Sequence, residues 1–364
     1  MSLKCTPLYE EHLELGAKMA PFGGWDMPIQ YQGIIAEHNW TRSSCSIFDI
    51  CHMGELVLRG DYLKSNFDKI VTINLKNMPA GSCRYGFMLN DKGGIIDDLV
   101  VYRFDIDKWM IVVNAATLEK DEAHLRKNLS SDCYFENISG KAAKLDLQGP
   151  LSAEVLKACI NEDVRALKYF HHAEFDILGD KNIISRTGYT GELGFEIYIN
   201  SEKVVELWKA LLNDKRVKPA ALGARDTLRL EMAYSLYGQD IDENTTPLEA
   251  DLEHFVYFEK DFIGKDALIK QKAEGLKRKL CCFKLDSRKS PRHGHKIQSG
   301  WDEIGEVTSG SFSPTLSCGI GMGYIKTEHA KIGDAILLSD GKTQFPAAVV
   351  EKPFYKQGSI KKEV

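Results

Sequence analysis

Two spacings of hydrophobic and polar positions recur along the chain, and each predicts its own kind of element. Alternating positions rich in β-branched and aromatic residues predict strands at 46–58 (two pieces around a bend), 84–89, 95–102, 109–114 and 144–148. Apolar residues three and four positions apart predict helices at 6–18, 33–44, 61–70, 115–129, 152–159, 204–214, 223–231 and 265–279. Short turns between the strands favour an α+β fold with antiparallel pairs over a doubly wound sheet.

The most specific local pattern is the turn at 90–94, which ends in two glycines and predicts a hairpin between strands 84–89 and 95–102. The second strand carries two adjacent carboxylates, Asp97 and Asp98. Neighbours in a strand point to opposite faces, so we expect that the two do not share one site and that at most one is buried. An aspartate that only caps its own hairpin is the alternative interpretation.

The last part of the chain has a different pattern. After the charged run Lys277–Arg278–Lys279, which predicts a domain boundary, short alternating stretches with turns between them extend over about 85 residues. They predict a small β-barrel or sandwich. Residues 21–28, rich in glycine and aromatic side chains, are predicted as a loop. A chain of 364 residues is expected to fold as two or three domains.

The amino-acid composition argues against several classes of function. The hydrophobic fraction of 43% and charged fraction of 27% are typical of a soluble globular protein, and a net charge of −5 argues against general nucleic-acid binding. Nine cysteines without a CxxC pair, no signal peptide and no long apolar run predict a cytoplasmic protein with free thiols and no membrane association. The ten histidines show no metal-binding spacing, so no metal site is predicted.

The charge is distributed unevenly. Residues 270–364 carry 17 Lys and Arg against 10 Asp and Glu, whereas the preceding residues are acidic overall. A basic C-terminal part suits an acidic partner or the anionic tail of a substrate, and a solvated surface without a partner is an equally good explanation.

Few kinds of chemistry remain as candidates. No Ser/His/Asp arrangement, activated cysteine or phosphate-binding glycine motif is present. There remain a strand acid, a second acid at Glu196, a tyrosine after a glycine turn (Tyr189) and two arginines on one helix face, Arg225 and Arg229. Such a set suits a flat heteroaromatic ring with an anionic tail. The alternatives are an ordinary ion-pair ladder for the arginines and, for the acidic loop at 236–247, either a bound cation or a solvated loop.

Several motifs in one order resemble the aminomethyltransferase (T-protein) family of the glycine cleavage system, within the wider tetrahydrofolate-binding family of the same fold. They extend over nearly the whole chain: Thr6–Pro7–Leu8–Tyr9, Phe48–Asp49–Ile50–Cys51–His52–Met53–Gly54, GGIIDDLVVY from Gly93, Val112–Val113–Asn114–Ala115, Gln148–Gly149–Pro150, RTGYTGE from Arg186, GARDTLRLE from Gly223, LYGQDIDEN from Leu236, TSGSFSPTL from Thr308 and Lys352–Pro353–Phe354–Tyr355.

The resemblance implies a three-domain cloverleaf with antiparallel sheets, a C-terminal β-barrel and a central folate channel. The expected domains are a discontinuous α+β domain (1–50 and 143–264), a second α+β domain (51–142) and the barrel (280–364). The implied reaction transfers the one-carbon unit of an aminomethyl group, carried on the lipoylated H-protein, to tetrahydrofolate. Its products are 5,10-methylenetetrahydrofolate, ammonia and dihydrolipoyl H-protein.

The resemblance also implies site residues. Asp98 is the catalytic acid near N5 and N10 of the folate, Glu196 meets the pterin edge, and Arg225 lies near the polar entrance. Further channel residues are Met53, Tyr85, Tyr102, Asn114 and Tyr189, with Tyr169 at a position that is aromatic in the family. Residues 356–362 carry only lysines where family members often have arginines, so we expect a looser contact with the folate tail or the H-protein.

Two other functions on the same fold remain open from the sequence. One is a folate-dependent demethylase or the folate-binding half of an oxidising enzyme, although the chain has no fingerprint for an added flavin domain. The other is a folate-binding accessory protein without transferase activity, whose typical Lys-Gly-Cys-Tyr motif is absent here.

Overall fold

The interleaved helices and strands expected from the sequence are present in the computed structural model, which describes residues 2–362. The helices are α1 (Tyr9–Glu14), α2 (Ile34–Ser43), α3 (Phe67–Ile70), α4 (Leu118–Asn128), α5 (Ser152–Ile160), α6 (Val204–Leu212), α7 (Leu222–Glu231) and α8 (Lys265–Glu274). The strands are β1 (Lys18–Phe22), β2 (Trp25–Gln30), β3 (Cys45–Asp49), β4 (Gly54–Arg59), β5 (Ser82–Leu89), β6 (Ile95–Arg103), β7 (Lys108–Val113), β8 (Tyr134–Asn137), β9 (Ala142–Gln148), β10 (His172–Ile177), β11 (Asp180–Ser185), β12 (Gly194–Asn200), β13 (Val217–Pro219), β14 (Arg278–Lys284), β15 (Lys296–Ser299), β16 (Asp302–Ser313), β17 (Cys318–Lys326), β18 (Ala335–Ser339) and β19 (Gln344–Val350).

A six-stranded sheet has the order β10-β11-β12-β9-β3-β13. Its pairs are antiparallel except β13 with β3, which is parallel and departs from the antiparallel expectation. Helix α6 covers one face because its apolar residues recur at helical spacing, and Leu207, Trp208 and Leu211 are buried there. The other face is buried as well, and Tyr198 on that face shares a hydrophobic core with Tyr102 and Val112 of a second sheet.

The second sheet has five strands in the order β5-β6-β7-β4-β8. The predicted hairpin is its β5–β6 pair, and the register shifts by one residue where Met88 pairs with Asp97 but Leu89 pairs with Ile95. Ile96 is therefore the extra residue of a β-bulge. One face of this sheet packs on α3 and α4 through a core that includes Phe67, Trp109 and Leu125.

The last six strands close into a barrel in the order β14-β17-β16-β15-β18-β19. Its interior is apolar, with Phe283, Ile297 and Ile325 fully buried. The predicted C-terminal β-barrel is confirmed, and its first strand begins at Arg278 within the charged run. The α+β class with mainly antiparallel sheets is confirmed too. The domain boundaries given above (1–50 with 143–264, 51–142 and 280–364) stay a prediction.

Four predicted elements differ from the structure. The helix expected over 6–18 is limited to Tyr9–Glu14, because Lys18 already begins β1. The loop expected over 21–28 is mostly an antiparallel pair, β1 with β2, turning at Gly23 and Gly24, both of which have positive φ. The helix expected over 61–70 is limited to Phe67–Ile70. The helix expected over 265–279 ends at Glu274, and Arg278 already begins β14. For these three helices, the predicted ranges extend beyond the residues that are helical.

Within residues 2–362, none of the helices is long and apolar enough to cross a membrane. All nine cysteines lie in the described part of the chain, and all are free.

Candidate active site

Asp98 lies just after the bulge of β6, where two side chains hold its carboxylate. The Tyr85 hydroxyl donates to Oδ2 at 2.9 Å, and the Asn114 amide donates to Oδ1 at 2.7 Å. Tyr85 comes from β5 and Asn114 follows β7, so both neighbouring strands contribute one donor. Asp98 is half-buried and its orientation is fixed by these bonds. A fixed carboxylate of this kind suits proton transfer or charge stabilisation.

The expectation that Asp97 and Asp98 serve separate sites is wrong in one respect. Asp97 is fully buried and Asp98 is not, as expected for adjacent strand residues. Nevertheless, the amide nitrogen of Asn114 donates to both carboxylates, at 2.9 Å to Asp97 Oδ1 and 2.7 Å to Asp98 Oδ1. The β-bulge at Ile96 disturbs the regular alternation at this point, which is a feature that spacing alone does not reveal.

The environment of Asp98 favours its neutral form. Burial, and then the negative charge of Asp97, raise the pKa of Asp98 to about 7, although the bonds from Tyr85 and Asn114 act in the opposite direction. The carboxyl group is therefore close to half-protonated at neutral pH. A group in this range can both accept and release a proton during turnover.

Glu196 on β12 is the centre of a second polar group. Its Oε2 accepts from Thr187 Oγ1 at 2.7 Å and from the Tyr102 hydroxyl at 3.2 Å, and its Oε1 lies 3.3 Å from Lys144 Nζ. Burial acts to raise the pKa of Glu196, but the Lys144 ammonium and the Thr187 bond outweigh it, so the pKa lies below its ordinary value. Glu196 is therefore an ionised, almost fully buried carboxylate.

Tyr189 and Arg225 form a third group. The Arg225 guanidinium lies 4.9 Å from the centre of the Tyr189 ring and donates to Asp146 Oδ2 at 2.7 Å. Tyr189 stacks on Tyr234 at 5.6 Å between ring centres and donates its hydroxyl to the carbonyl of Ser235. The group thus brings two stacked aromatic rings and a cation together, and these residue types suit a ring with an anionic tail.

The three groups are adjacent in the structure. Asp146 and Glu196 are paired across β9 and β12, and Asp98 lies close enough to Tyr189 that its negative charge contributes, after burial, to raising the pKa of the Tyr189 hydroxyl. Met53 also belongs here, because its Sδ lies 3.7 Å from Lys144 Nζ. Tyr169 packs against Phe170 at 4.7 Å between ring centres, at the edge of the Tyr189–Tyr234 stack.

The two arginines of α7 have different partners. Arg225 faces the site, whereas Arg229 is buried and bonds Asp226 and Asp240, as an ion-pair ladder would. Glu231, at the end of the same helix, bonds His38 and Arg42 rather than either of these two arginines. The acidic loop is not simply solvated, because its Asp240 is fully buried against Arg229 and Ser309. Among residues 2–362, no cluster of His, Cys, Asp and Glu has the arrangement of a metal site.

Sequence reasoning missed the importance of Lys144 and Asp146. The stretch Lys144–Leu145–Asp146–Leu147–Gln148 alternates perfectly, and a polar strand face normally faces water. Here that face is buried, with Lys144, Asp146 and Gln148 all at most 2% exposed. The alternation was visible, but only the second sheet packed over it makes these residues part of the site.

The fold and the site together define a class of protein: a mixed α+β molecule with a terminal barrel and a buried polar site that combines aromatic rings, a cation and a carboxyl group of raised pKa. Comparison with known proteins places it more closely. The GCVT N-terminal domain model matches residues 8–260, and the glycine cleavage T-protein C-terminal barrel domain model matches residues 278–356. The chain therefore belongs to the glycine cleavage T-protein family.

Individual relatives agree with this assignment. The chain is 48% identical to the aminomethyltransferase of Halothermothrix orenii, over 97% of this chain and all of that protein. It is 41% identical to the aminomethyltransferase of Thermotoga maritima over the full length of both. The crystal structure of glycine cleavage system aminomethyltransferase T from Bartonella henselae matches with a TM-score of 0.93 at 33% identity, covering 98% of this chain and 99% of that one. The family and the transferase class that the sequence indicated are confirmed.

Proposed function

We propose that this enzyme takes the one-carbon unit from an aminomethyl group on the lipoyl arm of an H-protein and transfers it to tetrahydrofolate. The carbon–nitrogen and carbon–sulfur bonds of the S–CH2–NH3+ group break, and two new bonds join the carbon to N5 and N10 of the folate. The two protons lost from N5 and N10 end on the departing thiol and on ammonia, which leaves as ammonium. Tetrahydrofolate is thus a substrate, and the reaction is redox-neutral. Membership of the glycine cleavage T-protein family supports this assignment.

The site residues suit the binding of a folate. Tyr189 offers a stacking face, Glu196 is an ionised acceptor for ring N–H groups, and Arg225 is a cation for the anionic tail. Hydrogen bonds or stacking with neighbouring residues already hold each of these three side chains, so little side-chain entropy is lost when the ligand binds. We assign the pterin to the Glu196 side of the site and N5 and N10 to the Asp98 side.

The proposed mechanism depends on one observation, the fixed carboxylate of Asp98 with its raised pKa. Positive charge develops at N5 and N10 as these amines attack the carbon, and a carboxylate fixed by Tyr85 and Asn114 stabilises it without reorganising. With a pKa of about 7, Asp98 can also accept the proton that the attacking nitrogen loses. Burial of the site holds the reactants together and limits competing attack by water.

The lipoylated H-protein is the expected partner, and we assign its action to the cytoplasm. Residues 270–364 carry an excess of positive charge, which suits an acidic surface on a partner. The lysines of the C-terminal segment remain candidates for that contact. Ser359 anchors the segment, since its backbone N–H donates to Glu192 Oε2 at 3.0 Å and its hydroxyl bonds the same carboxylate.

The decisive experiment compares the wild type with Asp98→Asn. Tetrahydrofolate and aminomethylated H-protein are supplied, and 5,10-methylenetetrahydrofolate and ammonia are measured in single-turnover and steady-state assays. We expect product from the wild type and a loss of about 10²-fold or more in kcat for Asp98→Asn, because the amide can neither carry the charge nor accept the proton.

Each other outcome has a clear meaning. Full turnover by Asp98→Asn would remove Asp98 from the mechanism. Wild-type enzyme that binds tetrahydrofolate but forms no product would favour an accessory folate-binding role. Wild-type enzyme that binds no folate at all would contradict the proposed substrate.

A further inference from the structure

Residues 358–362 lie against the loop that carries Tyr189. The last strand of the barrel, β19, ends at Val350, and the chain then returns to the six-stranded sheet. The loop in question, residues 186–193, joins β11 to β12 outside any strand. A loop of this kind needs partners other than a strand ladder if its backbone is to be ordered.

Ile360 bonds both ends of this loop. Its backbone N–H donates to the Gly191 carbonyl at 3.1 Å, and its own carbonyl accepts from Arg186 Nη2 at 3.3 Å. The same guanidinium nitrogen donates to the Lys362 carbonyl at 2.6 Å. Residues 358–362 thus connect the two ends of the loop, and Tyr189 lies between those ends.

Ser359 makes a second set of bonds to the loop. It is buried, its backbone N–H donates to Glu192 Oε2 at 3.0 Å, and its hydroxyl donates to the same oxygen. The Leu193 N–H donates in turn to Ser359 Oγ at 2.8 Å. One hydroxyl therefore both donates to the loop and accepts from it. The backbones are also in close contact, because a Cβ at Gly358 would lie 2.2 Å from the carbonyl oxygen of Gly191.

Glu192 connects Ser359 with the interior of the protein. Its other oxygen, Oε1, accepts from Arg42 Nη1 at 2.9 Å, and the same nitrogen donates to the Thr190 carbonyl at 2.6 Å. The side chains of Glu192 and Arg42 are 2% and 8% exposed. A buried carboxylate that is bonded at both oxygens has a fixed orientation. The loop is therefore held between α2 on one side and residues 358–362 on the other.

The same loop contributes two groups to the proposed folate site. Tyr189 supplies the ring beside Arg225, and Thr187 donates its hydroxyl to Glu196 Oε2 at 2.7 Å. Both residues lie between the bonded ends of the loop. Fixing those ends before the ligand arrives reduces the conformational entropy that is lost on binding.

We propose that Ser359 is a positioning residue for tetrahydrofolate binding, acting through Glu192 on the loop that carries Tyr189. The inference rests on the proposed function, in which Tyr189 contacts the folate. The Ser359 hydroxyl contacts the loop and not the ligand. Its loss should therefore weaken folate binding without slowing the chemistry at Asp98.

A role as an anchor for the chain end alone explains these bonds less well. The Tyr355 N–H already donates to the Glu231 carbonyl at 2.9 Å, and the Tyr355 ring centre lies 4.1 Å from the guanidinium carbon of Arg42. The chain is thus attached to the rest of the protein before it reaches the loop. The further bonds at Ser359 and Ile360 fix the loop itself.

The first test compares the wild type with Ser359→Ala. The dissociation constant for tetrahydrofolate is measured by calorimetry, and kcat and KM for tetrahydrofolate are measured at saturating aminomethylated H-protein. We expect the dissociation constant and KM to rise about five- to tenfold, because the loop loses hydrogen bonds that order it. We expect kcat to stay within about twofold, because Asp98 keeps its partners.

Three further variants show whether the hydroxyl is responsible. Ser359→Thr keeps it and should bind tetrahydrofolate within about twofold of the wild type. Gly358→Ala forces the two backbones apart and should weaken binding as Ser359→Ala does. Gln357→Ala changes an exposed neighbour and is the matched control, with the wild-type dissociation constant expected. Thermal unfolding checks that each variant is folded.

Hydrogen exchange measured by mass spectrometry without folate reports on the loop itself. Residues 187–191 should exchange faster in Ser359→Ala and Gly358→Ala than in the wild type. They should exchange at the wild-type rate in Ser359→Thr and Gln357→Ala. A residue that only anchors the chain end would change the exchange of residues 358–362 alone.

The outcomes separate this inference from the proposed function. A wild-type dissociation constant in Ser359→Ala would overturn the inference, and so would unchanged exchange at residues 187–191. Equal losses in Gln357→Ala, or no recovery in Ser359→Thr, would overturn it too, since the hydroxyl would not be the cause. Wild-type enzyme that binds no tetrahydrofolate would contradict the proposed function, whereas faster exchange in Ser359→Ala would still show that Ser359 orders the loop.

Discussion

At the scale of single residues, the protonation state of Asp98 depends on its immediate neighbours. Burial and Asp97 raise its pKa, while the Tyr85 hydroxyl bond lowers it by stabilising the ionised form. The base form is needed in the proposed reaction. Activity should therefore rise with pH through about 7 in the free enzyme, which is measured as kcat/KM.

Replacing Tyr85 by Phe tests this directly. The change removes one hydrogen bond to the carboxylate at 2.9 Å and keeps the ring that packs on Phe255. The pKa of Asp98 should rise, so the inflection of kcat/KM should move to higher pH by up to about one unit.

The control for that experiment is Tyr257→Phe, which removes a hydroxyl bonded to Glu259 away from the site. Its pH profile should match that of the wild type. An unchanged inflection in Tyr85→Phe would show that the 2.9 Å bond does not tune Asp98, and would weaken the assignment of Asp98 as the titrating group.

At the scale of elements, the β5–β6 hairpin is held by the acidic loop rather than by its own turn alone. The backbone N–H of Ile95 donates to the carbonyls of Asp242 and Thr245, and the Tyr237 hydroxyl donates to the carbonyl of Ile95. The loop therefore fixes the strand that carries Asp98, only three residues further along. These bonds require that the backbone of the turn at 90–94 and that of the acidic loop lie close together.

Gly94→Ala should break that contact. A Cβ at Gly94 would lie 1.9 Å from the carbonyl oxygen of Glu243, so the backbone of loop or hairpin must shift. We expect a loss of about 1–3 kcal/mol in the free energy of unfolding, measured by urea denaturation, together with a reduced kcat.

Gly140→Ala is the matched control, because no atom lies within 4 Å of a Cβ placed there. It should change stability by less than about 0.5 kcal/mol. Equal stability of the two variants would mean that the hairpin and the acidic loop are not in the close contact described.

At the scale of the whole molecule, Glu231 at the end of α7 joins three parts of the chain. Its carboxylate lies 3.3 Å from His38 and 2.8 Å from Arg42 of α2, and it accepts from Thr315 beyond β16 at 2.8 Å. Arg42 also pairs with Glu192 and lies against the Tyr355 ring near the C-terminus. Glu231 is thereby one of the buried carboxylates that attach the barrel to the rest of the protein, and Asp240, which accepts from Ser309, is another.

Because of this carboxylate, we expect the folded state to lose stability in acid. Burial acts to raise the pKa of Glu231, but His38, Arg42 and Ser313 lower it to about 2. The folded-state pKa is below that of the unfolded chain, so the stabilisation is complete above about pH 4.5 and is lost as the pH falls toward 2. It amounts to about 3 kcal/mol.

Glu231→Gln should therefore lower the free energy of unfolding at pH 7 and flatten its dependence on pH between about 4.5 and 2, as measured by urea denaturation at a series of pH values. Glu119→Gln, at an exposed pair with Lys4, is the control and should leave both unchanged within about 0.5 kcal/mol. An equally steep pH dependence in Glu231→Gln would assign the acid sensitivity to other carboxylates.

The local sequence pattern was sufficient to predict many elements of this protein. The β5–β6 hairpin, helices such as α6 and the terminal barrel follow from spacing and turn residues, because each depends on neighbours close in the sequence. Asp98 and Glu196 were found as acids within apolar strands, which require partners or a use. The family resemblance, carried by motifs in order, implied their roles, which stay a prediction.

Tertiary structure alone decided the rest. The Asn114 side-chain amide bonds both Asp97 and Asp98 because a β-bulge precedes them. The strand face that carries Lys144 is buried because the second sheet, from a separate part of the chain, covers it. Alternation specifies that a strand has two faces, but it does not specify which face is covered. The sequence by itself determined most of the elements and the fold class, and it indicated which acids to expect in the site. Only the packing of the two sheets determined which charges are removed from water, and therefore which pKa values shift and which groups meet a ligand.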